Sequence, residues 1–218
     1  MTDSQRIEKT IAFVREELSR AEGGHDWFHI ERVFRNTLLI AKDEPVDVLV
    51  VSLAALLHDI ADPKFHDGDE EIGPRKADAF LKSLSIKSDV RRHVVDIIRR
   101  MSFKNSLEGQ TGGESRELQV VRDADRLDAM GAIGIARAFN FGGYKGRQLY
   151  DPEVSPRVGM DKAEYKKSSG PTLNHFYEKL LLLKDLMHTE TGKRLAAGRH
   201  AFMLEYLEAF YAEWNGRA

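Results

Sequence analysis

Apolar residues recur along this chain at helical spacing, and polar breaks separate the runs into a succession of helices. Ile7, Ile11, Val14 and Leu18 form the first stripe, with Thr2, Asp3 and Ser4 as candidate caps and Gly23-Gly24 as its stop. Ile30, Val33, Phe34, Thr37, Leu38 and Ala41 form the second, opened by a candidate cap at Asp26. Val48 to Leu57 is apolar apart from Ser52, the pattern of a helix buried on all sides, with Pro45 and Asp47 marking its start. His58, Asp59 and Asp62 follow at spacings that place all three on one rim if the helix continues to Pro63, which ends it.

Further along, helices are predicted over 74–84 and over 87–101, the latter facing inward through Val90, Val94, Ile97 and Ile98. Another begins at Ser115 and carries Leu118, Val121, Ala124, Leu127 and Met130 on one face, and a small-residue helix follows over 132–141. Residues 142–170 read as one long irregular stretch, rich in Lys, Arg and Tyr, of a length that is often functional. Two long helices close the chain. The first, over 172–188, is apolar at Phe176, Leu180, Leu183 and Met187. The second, over 191–214, is apolar at Leu195, Phe202, Tyr206, Phe210 and Trp214. No stretch alternates with the period of a strand, so an all-α domain of about nine or ten helices is expected.

Composition narrows the function classes. The 33 basic and 35 acidic residues nearly cancel, giving a net charge of −2 without the basic excess of a general nucleic-acid binder. With no cysteine among 218 residues, disulfides and thiolate metal sites are excluded, and a metal would need His, Asp or Glu. The polar start MTDSQRIEKT has no signal-like apolar core, and no apolar run reaches membrane-spanning length, so a cytoplasmic protein is expected.

Candidate chemistry lies where polar groups meet apolar helical faces. His29 in HIERV, His58 and Asp59 in ALLHDIAD, and Asp125 in DADRL offer two imidazoles and two carboxylates. Such a mixed nitrogen and oxygen set suits one divalent ion, with Mn²⁺, Ni²⁺, Co²⁺ or Fe²⁺ favoured over Zn²⁺ or Mg²⁺. Asp123 and Asp128 compete with Asp125. Relative to it, they are rotated by roughly 200° and roughly 60° around a helix of about 3.6 residues per turn. Without a metal, His58 and Asp59 would simply cap a helix end and face water.

Taken together, H…HD…D on three helices resembles the HD-domain superfamily of metal-dependent phosphohydrolases. GHDWFHIERV, AALLHDIAD, VVRDADRLDAMGAIGIARAF, NHFYEKLLLLKDLM and FYAEW further resemble a bacterial subgroup of small HD-domain nucleotide pyrophosphohydrolases. The resemblance implies a single HD-type helical bundle over residues 1–218, with 142–170 lid-like, and His29, His58, Asp59 and Asp125 as metal ligands. It implies hydrolysis of nucleoside or deoxynucleoside triphosphates to monophosphate and pyrophosphate by a metal-activated water. Asp62 stands where some relatives carry a glutamate that orients or deprotonates that water. Ala129 stands where the superfamily's guanosine tetraphosphate hydrolases carry asparagine, a departure that argues against that substrate.

Lys64, Lys104, Arg126, Lys145 and Arg147 are the candidate phosphate contacts, and Tyr144, Tyr150 and Phe103 the candidates for stacking on a base. His25, His66, His93, His175, His188 and His200 read as structural or surface residues, although His25 and His175 fall within the subgroup-like motifs. A nucleotide phosphomonoesterase and a metal-stabilised nucleotide-binding domain without turnover remain as alternatives. The expected partner is a phosphorylated small molecule; neither nucleic acid nor membrane is expected, and a homodimer stays open.

Overall fold

The computed structural model describes residues 1–19, 26–61, 69–101, 113–159 and 170–217. Among these residues the chain is all-α, with nine α-helices, one 3-10 helix and no strand. None of the helices is long and apolar enough to cross a membrane. The chain divides into two compact units, Met1–Asp125 and Arg126–Ala218.

The first unit is built on α3 (Val48–Leu57). Its N-cap Asp47 accepts from the Leu49 and Val50 amides, filling two of the orphan donors that every helix start exposes. Val51, Leu53, Leu56 and Leu57 are wholly buried, each contributing about 2 kcal/mol relative to exposure. Three helices pack on it: α1 (Asp3–Glu17), α2 (Trp27–Ala41) and α5 (Ser88–Met101). The first is opened by a capping box between Thr2 and Gln5. A further helix, α4 (Ile72–Ser83), packs on α5 and meets α1 through the stacked rings of Phe13 and Phe80, 4.0 Å apart. Most of α6 (Arg116–Asp128) completes the unit, with Leu118, Val121 and Ala124 buried as its spacing predicts; Leu127, on the part of α6 that belongs to the second unit, is buried too.

One expectation in this unit is corrected. The helix ends at Leu57 and does not run on to Pro63. His58 is its C-cap, still in helical geometry, and Asp59 lies in the turn that follows. Asp62 and Pro63 lie outside the described residues.

The second unit packs α9 (Glu190–Trp214) on α7 (Gly131–Tyr144) and on a 3-10 helix (Leu180–Leu186), which also meets the short α8 (Asn174–Glu178). The long helix expected over 172–188 is thus two pieces, broken at Lys179, whose φ of −147° and ψ of −56° leave the helical region. Phe176, Leu180, Leu183 and Met187 are buried all the same. In α9 the buried residues are Thr191, Gly192, Ala196, Met203 and Leu207, while Phe202 and Trp214, both on the expected apolar face, are exposed. Gly142, expected to begin the irregular stretch, lies inside α7, as do Gly143 and Tyr144.

Two glycines of α7 are required by close approach. A Cβ on Gly142 would sit 2.1 Å from Thr172 Oγ1, and one on Gly134 would sit 2.3 Å from the Ala129 carbonyl oxygen. The second clash is with backbone, which cannot rotate away. Gly134→Ala is therefore expected to lower stability by about 1–3 kcal/mol, against the usual helical gain of alanine over glycine. Urea unfolding checks this; a midpoint equal to or above that of the parent would show that the turn before α7 yields freely.

Candidate metal centre

His29 enters the site from the start of α2. Asp26 caps that helix by accepting from the His29 amide at 2.9 Å, which fixes the backbone from which the imidazole projects. The side chain is 4% exposed, on a helix whose Ile30 and Val33 are wholly buried.

His58 arrives from the end of α3. Its Nδ1 is 2.9 Å from the Ala55 carbonyl oxygen. A carbonyl only accepts, so Nδ1 carries the proton and Nε2 presents a lone pair. The two imidazoles meet edge to face, 5.5 Å between centroids and 70° between planes.

The third group comes from α6. Asp125 Oδ1 is 3.5 Å from His29 Nε2 and 4.0 Å from His58 Nε2. One donor atom from each of the three residues can be chosen so that all lie within 4.8 Å of one another. Donors sharing one ion at about 2.1 Å stand roughly 3–4 Å apart; both distances to Asp125 fall in that range, and from the 4.8 Å outer limit the donors need draw in by only a fraction of an ångström to share a divalent cation. The chemistry also fits: one imidazole is held with its free nitrogen inward, and the Asp125 side chain is 39% exposed, leaving the centre open to a ligand from solvent.

The three aspartates of DADRLD are distinguished by what they touch. Asp123 is wholly buried, and Asp128 is paired with Arg137 at 2.6 Å. Only Asp125 of the three stands in the cluster with the histidines. Asp59, half-buried in the turn after His58, is not a member of that group.

The segment of α6 that carries Asp125 is tied down from several sides. Asn36 Nδ2 donates to the Ala124 carbonyl at 3.3 Å. Glu117 accepts from the Asp47 amide at 3.1 Å, and Arg116 pairs with the nearly buried Glu44 at 2.5 Å. Arg122 bridges Glu114 at 2.5 Å and the Arg100 carbonyl at 3.0 Å. Sequence reading missed these positioning groups. Asn36 was within reach of it, since seven residues after His29 is two turns along the same helical face.

Of the candidate phosphate contacts, Lys64 and Lys104 lie outside the described residues, as does Phe103. Three belong to the second unit. The Arg126 guanidinium donates to the Leu186 carbonyl and faces His188 Nδ1 at 3.1 Å. The Lys145 ammonium lies 4.8 Å from the centroid of the exposed Tyr144 ring, and the Arg147 guanidinium 5.6 Å from that of Phe141. Tyr150 is packed edge to face against Phe210, Tyr211 and Trp214 at 5.1–6.0 Å, a structural setting.

Comparison with known proteins places this arrangement. Residues 27–130 match the HD domain family model. A crystal structure of an HD-superfamily hydrolase from Bacillus thuringiensis is 42% identical, with 98% of this chain and 99% of that one covered and a TM-score of 0.80. The chain belongs to the HD-domain superfamily. YpgQ of Bacillus subtilis is 37% identical over 209 residues, covering 95% of this chain and 93% of its own. A crystal structure of YpgQ in complex with ADP matches with 35% identity, coverage of 98% and 97%, and a TM-score of 0.77.

An HD domain implies a divalent metal ion. In this HD domain the matched region spans His29, His58, Asp59 and Asp125.

Proposed function

We propose that this protein is a metal-dependent phosphohydrolase that converts nucleoside or deoxynucleoside triphosphates to the monophosphate and pyrophosphate. The observation that carries the reading is the convergence of His29 Nε2, His58 Nε2 and Asp125 Oδ1 from three helices of an HD domain. The ADP bound by YpgQ supports a nucleotide as the ligand.

In this reading His29, His58 and Asp125 hold the ion, and Asp59, adjacent to His58, is the fourth ligand. The ion supplies Lewis acidity toward a phosphoryl oxygen and lowers the pKa of a water. Mn²⁺, Ni²⁺, Co²⁺ and Fe²⁺ suit the mixed donor set better than Zn²⁺ or Mg²⁺. Asp62 accepts or orients the proton of the attacking water. The new P–O bond forms at the α-phosphorus, and the α–β bridging bond breaks to release pyrophosphate. Lys64, Lys104, Arg126, Lys145 and Arg147 are the candidates to neutralise the phosphates, because cations aimed at developing charge lower the barrier.

The test is ³¹P NMR of a deoxynucleoside triphosphate incubated with the protein and Mn²⁺, beside an Asp59→Asn variant. Pyrophosphate formed only by the parent protein is expected. Orthophosphate in its place would identify a phosphomonoesterase, and absence of any product would sink the triphosphate reading.

A further inference from the structure

The three clustered donors are held to one another unequally. His29 and His58 belong to α2 and α3, which are joined by the short loop 42–47 and packed closely together, with the two rings edge to face at 5.5 Å. Asp125 reaches them from α6, which makes no comparably close backbone approach to α2 or α3 among the described residues. Its 3.5 Å distance from His29 therefore depends on what spans the gap between the helices.

At its start, α6 is moored to the loop that joins the two histidine-bearing helices. Arg116 pairs there with Glu44 at 2.5 Å, and Glu117 accepts from the Asp47 amide at 3.1 Å. Arg116 is nine residues before Asp125, roughly 13 Å along a helix that rises about 1.5 Å per residue. A mooring at that end leaves the carboxylate on the end of a lever.

The second tie is at the carboxylate's own end. Asn36 Nδ2 donates to the Ala124 carbonyl at 3.3 Å, one residue before Asp125. A carbonyl oxygen has two lone pairs, so Ala124 can take this bond and keep its place in the helix. Asn36 lies seven residues after His29 on α2, two turns along and within about 20° of the same face. Thus α2 meets this turn of α6 at two points, the His29 ring at Asp125 and the Asn36 amide at Ala124. One point fixes a distance; two fix the rotation of α6 as well.

We propose that Asn36 is a positioning residue for the metal centre: its bond to the Ala124 carbonyl keeps the Asp125 carboxylate within sharing distance of the two imidazoles and so sets the affinity for the ion. It rests on His29, His58 and Asp125 being the ligands and needs no particular substrate. All of these groups lie in the first unit. The centre has little slack, since Asp125 Oδ1 is already 4.0 Å from His58 Nε2, and two donors at about 2.1 Å from one ion span at most about 4.2 Å. An outward shift of a few tenths of an ångström takes that pair out of range. Asn36 acts here through Asp125 and is not itself a ligand.

Calorimetric titration of the ion-stripped full chain with Mn²⁺, in the absence of nucleotide, is the test. Asn36→Leu keeps much of the volume and removes the donor. It is expected to weaken Mn²⁺ binding by about tenfold, the lower end of the range of about 10–100-fold for outer partners of metal ligands, because the bond acts on backbone beside the ligand. Asn36→Ala is the second variant, and circular dichroism checks that each is folded. The control is Ile40→Val, at a wholly buried position further along α2, which should lower the urea midpoint of the ion-free protein and leave Mn²⁺ affinity at the parent value.

Unchanged Mn²⁺ affinity in the folded Asn36 variants would overturn the role. An equal loss in Ile40→Val, or loss of the fold in both Asn36 variants, would do so by reducing the bond to general stability. A parent that takes up no Mn²⁺ would overturn it together with the ligand set. Mn²⁺ binding weakened as described in a protein that hydrolyses no nucleoside triphosphate leaves the role standing and removes the proposed reaction. Triphosphate turnover with Mn²⁺ affinity unmoved by Asn36→Leu does the reverse.

Discussion

His58→Ala is expected to lose its divalent ion and to hydrolyse no nucleotide above background, while keeping its helical circular dichroism. The imidazole is one of three donors within 4.8 Å of one another, and Asp125 Oδ1 lies 4.0 Å from its Nε2. Removing even an outer-shell partner of a metal ligand lowers affinity by about 10–100-fold, so deleting a ligand exceeds that range. The fold should survive because α3 is held by Val51, Leu53, Leu56 and Leu57, all buried before the chain reaches His58. Metal content by mass spectrometry, read beside the dichroism, is the check. One ion still bound per chain would remove His58 from the ligand set, and a collapsed spectrum would make its role that of a helix cap.

Acid should weaken the fold through His175. Its folded value of about 4 lies below the ordinary imidazole value of 6.5, with burial the larger cause and Lys179 and Arg147 the smaller ones. Between those two values the unfolded chain holds a proton that the folded chain refuses, so stability rises with pH across the window. The contribution is fully present above the unfolded value and is lost as pH falls toward the folded one, about 3 kcal/mol in all. Carboxylates also titrate near the lower end, so the informative quantity is a difference. Urea midpoints for the parent and for His175→Gln should converge as pH falls from 7 to 4.5. Parallel curves would mean that His175 titrates normally.

Much of the fold was legible because burial leaves a period in the sequence. The α6 stripe of Leu118, Val121, Ala124 and Leu127 is buried as read, Asp26 caps the helix it was expected to cap, and Asp47, expected to mark a helix start, caps it. The break at Lys179 was not legible. Four consecutive leucines, Leu180 to Leu183, satisfy an α-helix and a 3-10 helix equally well, so the apolar pattern carries no information about pitch. Gly142 and Gly143 misled for a related reason. Glycine signals a breaker only when nothing needs the space, and at Gly142 the space is taken by Thr172.

The candidate metal centre was legible in its residue types, since His29, His58 and Asp125 are out of place beside core positions. Its supports were not. The Ala55 carbonyl has no side-chain signature, and the ties from Glu44 and Asp47 to α6 span some seventy residues of sequence.

The same span has a consequence for how the first unit holds together. His29, His58 and Asp125 are far apart along the chain, so any ion gripping all three acts as a removable cross-link closing two long loops that an unfolded chain would leave open. By mass action, free ion at about a thousand times its dissociation constant adds about 4 kcal/mol to the folded state. Starvation for that ion would then lower the amount of intact protein as well as the activity of each molecule, and the cell would experience one shortage as two.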